Sequence, residues 1–274
     1  GMGQIVEQTG RTLTASPLFA TAVLGVTAIK GAGTEEQKTE LLGAIAGGEI
    51  TTALAVDENA HHAPAQISMT AVKQGQGYSL NGAKRFVVDG GTADKLIVAA
   101  RTSGEAGDIK GISLFVVDAT AAGIEVERVA ATDGRNYANI SFNQVEVAEA
   151  ALLGEEGQGF KALSATLDAG NIYLSAEMLG MAQESFERTL QYLKERKQFG
   201  VLIGSFQALQ HRAADWWSQI ELCKSVVLKA LQAMDEGDVK APALASVAKA
   251  KLCQVTELST NEAVQMHAGI GMTD

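Results

Sequence analysis

Apolar positions change their spacing twice along the chain. Over residues 1–48 the pattern is helical, with Thr34-Glu35-Glu36-Gln37 offering a capping box ahead of Leu41, Leu42 and Ile45, and Gly47-Gly48 as a stop. From residue 50 to residue 147 the pattern becomes short β-rich runs bounded by glycine and polar residues, at 50–56, 78–80, 85–88, 96–100, 112–117 and 140–147. Asn81-Gly82, between two of these runs, predicts a hairpin with a type I′ turn, whose two central residues both need positive φ. After Gly159 helical spacing returns: Phe160, Leu163 and Leu167, then Met178, Met181 and Phe186, and later Trp217, Ile220, Val227 and Leu231. Asp235-Glu236-Gly237-Asp238 interrupts the pattern, and Pro242 suits the first turn of a last helix through Val247 and Leu252.

Helices, then a strand-rich block, then long helices give an α+β order and disfavour a βαβ nucleotide fold. The expected organisation is the end of a helical domain over residues 1–48, a middle β-domain over 49–152, and an incomplete antiparallel helical bundle over 153–274. No repeat or low-complexity tract interrupts it.

Composition narrows the function classes. A formal charge of −10 on 274 residues, with no Lys/Arg run, offers no basic face for a phosphate backbone, so nucleic acid is not an expected partner. No apolar run approaches the roughly 20 residues that span a bilayer, and the first residues lack a charged stretch leading into an apolar one. Cys223 and Cys253 sit in helix-like segments without metal-ligand spacing, as reduced packed thiols would. These observations predict a cytoplasmic protein with no membrane partner.

Three segments carry candidate chemistry. They are Leu80-Asn81-Gly82-Ala83-Lys84-Arg85-Phe86-Val87-Val88-Asp89-Gly90-Gly91, then Glu195-Arg196-Lys197-Gln198-Phe199-Gly200 followed by Phe206-Gln207, then Gln265-Met266-His267-Ala268-Gly269-Ile270-Gly271. Each alone reads as an ordinary turn, strand or charged helix end. Together, in this order and at this spacing, they resemble the acyl-CoA dehydrogenase family. In that family a hairpin near "NGxKxWITNG" lies in a middle β-barrel-like domain, an "RxxFG" turn joins two bundle helices, and "Q(I/V)xGGxG" closes a later one.

The resemblance implies an FAD cofactor. Arg196 matches the residue that reaches the FAD pyrophosphate of a neighbouring subunit, where a guanidinium fork suits paired phosphate oxygens. Gln198 and Phe199 match its adenine-side neighbours, and Gln265 and Gly269 match positions near the adenosine, where glycine lets the backbone come close. Phe86 stands where the family often has a tryptophan against the flavin ring, and Val88 where it often has a threonine hydroxyl near flavin N5. The implied reaction is α,β-desaturation of an acyl-CoA thioester: a carboxylate removes the α-proton and hydride passes to flavin N5. The implied partners are the acyl-CoA substrate, an electron acceptor such as an electron-transfer flavoprotein, and further subunits, as a homodimer, a homotetramer or a heteromer.

The chain departs from the family pattern in three places. Around Glu58 the motif near "TEPGAGSD" reads Val56-Asp57-Glu58-Asn59-Ala60-His61-His62-Ala63, for which a solvated loop is expected and a metal site is not. This divergence is similar to the small subunits of pimeloyl-CoA-type dehydrogenases. At one of the family's two positions for the catalytic glutamate stands Gly170, with Asn171 in place of an arginine; the other position lies beyond Asp274. The catalytic residue is therefore unassigned. Asp168 is expected to contact substrate and not to act as base. Alternatives are a partner-dependent or non-catalytic subunit, and an acyl-CoA oxidase-like flavoenzyme. The resemblance also implies a helical domain ahead of residue 1 and the remainder of the bundle after Asp274.

Overall fold

A computed structural model describes residues 1–273. The chain divides into two compact units, one of residues 15–169 and one of residues 1–14 together with the chain from Gly170 onward. The first element, α1 (Met2–Thr12), ends at Leu13 in the left-handed region, φ 48°. The helical pattern expected without a break to residue 48 is thus interrupted, and it resumes only after Pro17, whose carbonyl accepts the Thr21 N–H.

The second helical stretch opens with π-helical Phe19–Gly25 and continues as α2 (Val26–Ala32). Next come α3 (Glu35–Gln37), π-helical Lys38–Leu42 and α4 (Gly43–Ala46). The capping box forms as read: the Thr34 hydroxyl accepts the Gln37 N–H and the Gln37 side chain accepts the Thr34 N–H. The Gln37 amide also donates to the carbonyls of Ala150 and Leu152, tying this stretch to the far end of the same unit.

Eight strands follow: β1 (Thr52–Ala55), β2 (Thr70–Gln74), β3 (Gly77–Val88), β4 (Lys95–Arg101), β5 (Ile112–Asp118), β6 (Ile124–Val129), β7 (Tyr137–Ala148) and β8 (Leu152–Leu153). They form one sheet in the order β6-β7-β3-β2-β4-β5-β8, with β1 pairing in parallel beside β4. The sheet is antiparallel apart from that pair and one Thr70–Arg101 bridge. Leu96 to Ala100 on β4 are buried throughout, which accounts for an unbroken apolar run where an alternating strand would show polar residues.

Asn81-Gly82 is not a hairpin turn. Both residues lie inside β3, and the register against β7 slips between Leu80 and Gly82, so the glycine marks a bulge. A Cβ at Gly82 would lie 2.8 Å from the Met69 Cβ, and its φ is +149°. Close approach of the Met69 segment therefore selects the glycine. The reversal comes earlier, between β2 and β3, where Gln74 pairs with Gly77 and Gly75 takes φ +59°.

The helical unit is built on α5 (Phe160–Glu195) from Gly170 onward, the hairpin β9 (Lys197–Gln198) and β10 (Val201–Leu202), α6 (Gln207–Asp235) and α7 (Ala241–His267). Ala176, Leu179, Ala182, Trp216, Ile220, Val227, Leu252 and Val255 form its core. Trp217, expected on the core face, is half exposed, and Trp216 is buried instead with its indole N–H donating to the Ser259 hydroxyl at 2.8 Å. One residue turns the direction by about 100° along a helix, and the indole N–H needs the acceptor that α7 supplies. Glycines seat α1 against α5. A Cβ at Gly10 would stand 2.0 Å from the Glu177 carbonyl oxygen, and one at Gly180 would stand 1.9 Å from that of Glu7. Arg11 reaches from α1 to Glu184 at 3.0 Å and to Glu187.

Candidate cofactor site

Arg196 leaves the end of α5 into a tight hairpin. Gln198 pairs with Val201, leaving Phe199 and Gly200 as the two-residue turn, with φ +56° and +82°. Positive φ at both residues is the type I′ geometry that antiparallel strand twist favours, and glycine takes it at no cost while phenylalanine does not. Phe199 is 90% exposed, so buried contacts do not offset that cost. Backbone strain at an exposed aromatic is a mark of a binding element. The Ile203 N–H closes the hairpin base on the Arg196 carbonyl at 2.9 Å, and Phe206 meets the Phe199 ring edge-on at 6.3 Å.

The end of α7 faces this hairpin. His267 stacks on Tyr192 of α5 with ring centroids 4.4 Å apart. Its Nδ1 lies 2.8 Å from the Ala263 carbonyl oxygen. A carbonyl only accepts, so Nδ1 carries the proton and Nε2 is left available. Ala268 then turns the chain at φ 53° and ψ −131°, a conformation glycine favours, and Gly269 follows with no atom within 4 Å of where a Cβ would sit.

Between these elements lies a cavity of about 560 Å³ lined by Tyr192, Arg196, Gln198, Phe199, Ile203, Phe206, Leu209 and residues 265–270. Five of the sequence-predicted site residues, Arg196, Gln198, Phe199, Gln265 and Gly269, are brought together here. The volume suits a small-molecule site, which is typically apolar with a few fixed polar groups. Arg196 forms no ion pair among the described residues, so its guanidinium is free to take an anion. Aromatic walls, two glutamine amides and one unpaired guanidinium fit a planar heteroaromatic ring that carries phosphate.

The remaining three candidates belong to the sheet unit. Phe86 lies at a second bulge of β3, between Lys84 and Val87, with φ +53° and 55% exposure. Its ring stacks on Tyr137 at 4.4 Å. Val88 is half-buried, in register with Tyr137, and has no side-chain donor. Asp168 is half-buried on α5, and burial pushes its carboxyl above the usual aspartate range.

Glu58 corrects the expectation of a merely solvated loop. Its carboxylate accepts the Ser68 N–H at 2.8 Å, the Met69 N–H at 3.0 Å and Lys84 Nζ at 2.8 Å. Lys84 is fully buried and also donates to the Val56 carbonyl. His62 bonds Asp57 at 2.8 Å. The segment is thus pinned to β3 two residues before Phe86.

Sequence reading passed over Tyr192, His267, Tyr137 and Ala268. The first three act through ring contacts between separate elements, which leave no local pattern. Ala268 was legible, because it occupies the first glycine of the "GGxG" turn.

Residues 53–145 match the family model for the acyl-CoA dehydrogenase middle domain, and residues 157–274 match that for the acyl-CoA dehydrogenase C-terminal domain. The Bacillus subtilis protein named probable acyl-CoA dehydrogenase YngJ is 34% identical over 275 residues, covering 97% of this chain and 71% of its own length. The structure of butyryl-CoA dehydrogenase from Megasphaera elsdenii superposes with a TM-score of 0.92 at 32% identity, over 98% of this chain and 71% of that one. An FAD complex of PigA superposes with a TM-score of 0.92 at 25% identity, over 99% and 73%. The chain spans 64% of the length of other curated relatives that it matches at 35% and 34% identity.

Proposed function

We propose that this chain, which belongs to the acyl-CoA dehydrogenase family, forms the FAD-binding part of an enzyme that desaturates an acyl-CoA thioester at its α,β-carbons. The observation that carries the reading is the cavity that gathers Arg196, Gln198, Phe199, Gln265 and Gly269 from α5, its hairpin and α7. FAD, when bound, supplies the hydride acceptor. Arg196 would pair its guanidinium with pyrophosphate oxygens, and Gln198 and Phe199 would close the adenine side. Gly269 would admit the adenosine close to the backbone. Phe86 and Val88 would border the flavin ring, with the bonds to the ring coming from backbone because Val88 has no hydroxyl. Asp168 would contact the acyl-CoA.

The functional assembly is a dimer or tetramer in the cytoplasm, and it passes electrons to an electron-transfer flavoprotein. No helix among the described residues is long and apolar enough to cross a membrane.

Gly170 supports a second reading. The α5 position at which the family can carry its glutamate has no carboxylate here, as in a subunit that holds flavin for an active partner. Two measurements separate the possibilities. FAD binding should colour the protein and raise its melting temperature, since a ligand specific to the folded state stabilises it by mass action. Anaerobic mixing with a panel of acyl-CoAs should then bleach the flavin. A colourless protein with no FAD-dependent shift refutes the flavin site, and bound flavin that no acyl-CoA bleaches favours the partner-dependent subunit.

A further inference from the structure

Phe86 is held in an unusual way. Its backbone is left-handed at φ +53°, at the point where the β3–β7 register slips between Lys84 and Val87. A bulky residue in this region is strained and persists only where surrounding contacts impose it. Those contacts come from β7 and the turn before it. The Phe86 N–H is taken by Asn139 Oδ1 at 3.2 Å, and the same amide donates through Nδ2 to Glu127 at 3.1 Å. Tyr137 lies against the Phe86 ring at 4.4 Å with 26° between the planes. Its hydroxyl donates to Asp133 at 2.7 Å. Burial, then the bond to Asp133, pushes the phenol up to about 12, so it stays a neutral donor. The outcome is a large ring that remains 55% exposed, backed by a second ring that is itself tethered at its far end.

We propose that Tyr137 is a positioning residue for the flavin: it backs Phe86 so that the exposed Phe86 ring meets the isoalloxazine in a fixed orientation. Hydrophobic packing alone does not explain the pair, since a ring in ordinary core would be buried and its backbone relaxed. A tethered aromatic platform suits a planar conjugated ring, whose quadrupole interacts best in offset or edge geometries. The Tyr137–Asp133 bond sets the angle of the platform. The Glu127–Asn139 bridge sets its height above the strand.

This inference rests on the FAD reading above, and the test separates the two. FAD is titrated into the full chain and into Tyr137→Leu, Tyr137→Phe and Phe86→Leu variants, with flavin fluorescence, visible circular dichroism and reduction potential as readouts. Tyr137→Phe keeps the stacked ring but frees it from Asp133, so its affinity for FAD and its flavin circular dichroism should fall between those of wild type and Tyr137→Leu. Tyr137→Leu removes one π face and should weaken FAD by about two- to tenfold, relieve quenching of flavin fluorescence and shift the potential, in the same direction as Phe86→Leu. Tyr137→Met, similar in flexible apolar bulk, replaces the leucine variant if leucine prevents folding. If Phe86→Leu alters the flavin signals while Tyr137→Leu or Tyr137→Met leaves them unchanged, the positioning role is wrong and the flavin site stands. No FAD binding by the wild-type chain overturns both.

Discussion

Replacing Glu58 by glutamine keeps the shape of the Lys84 pocket and removes its counter-charge. At 2.8 Å, and with an effective dielectric of about 20, the pair attracts by roughly 6 kcal/mol, which offsets a desolvation cost of several kcal/mol for an ammonium whose side chain is fully buried. Direct bonding is also at stake. The Glu58 carboxylate accepts donors at both oxygens, from Ser68 and Met69 of the backbone and from Lys84. An amide has one oxygen, so its NH2 must face at least one of these donors and leave it unmet. Breaking one side of a buried pair costs about 3–5 kcal/mol, and we expect Glu58→Gln to destabilise the sheet unit by that much. Urea unfolding followed by far-ultraviolet circular dichroism, together with hydrogen exchange on β3, measures it. Tryptophan fluorescence does not serve, because Trp216 and Trp217 both lie on α6. Adding Lys84→Met to Glu58→Gln should recover at least half of the loss, since an apolar pair of similar size is often as stable as the ionic one. A loss below about 1 kcal/mol in the single variant would refute the view that Glu58 neutralises Lys84.

Three further outcomes are expected. Gly180→Ala places a methyl 1.9 Å from the Glu7 carbonyl oxygen, so α1 must move; a loss of about 1–3 kcal/mol or more, with faster hydrogen exchange confined largely to α1, is expected. Ala268→Gly relieves a left-handed alanine worth about 1–3 kcal/mol and adds about 0.4–1 kcal/mol of unfolded-state entropy, so a net gain near 1 kcal/mol should appear in thermal unfolding, accompanied by tighter FAD binding. Burial raises the Asp168 carboxyl in the folded state, so the folded chain holds that proton more tightly and this contribution to stability is present at low pH and lost as pH rises through the folded value. Asp168→Asn should therefore melt higher than wild type near neutral pH, with the gap closing on acidification, and a gap that does not change with pH would count against burial as the cause.

The switch from helical to strand spacing and back was legible because it rests on periodicity, which burial enforces. The Thr34 capping box and the Pro242 helix start were legible for the same local reason. Asn81-Gly82 misled because a glycine between strand-like runs looks alike in a turn and in a bulge; which one forms depends on Met69, twelve or more positions away along the chain and adjacent in space. Apolar spacing cannot distinguish the neighbouring Trp216 and Trp217, whereas the Ser259 hydroxyl, which the Trp216 indole reaches, does. At the candidate site, motif spacing marks Arg196, Gln198, Phe199, Gln265 and Gly269, which line one cavity, and carries no mark of the ring partners around them. Tyr192 and His267 are 75 positions apart, so no window of sequence contains both ends of their stack.

The seating of α1 on α5 has a consequence for the order of events during synthesis. Arg11 and Glu187 are separated by 176 positions, and the residues of the sheet unit lie between the two parts of the helical unit. Closing a loop of that length costs about 4–5 kcal/mol of chain entropy before any contact is made. At about 5–20 residues per second the ribosome delivers α5 roughly 10–35 seconds after α1. Through that interval α1 has no partner helix to dock on, and an isolated stretch of eleven residues is too short to hold helix alone. The sheet unit, contiguous in sequence, can condense first, and the docking of α1 becomes a late step that joins the two parts of the helical unit.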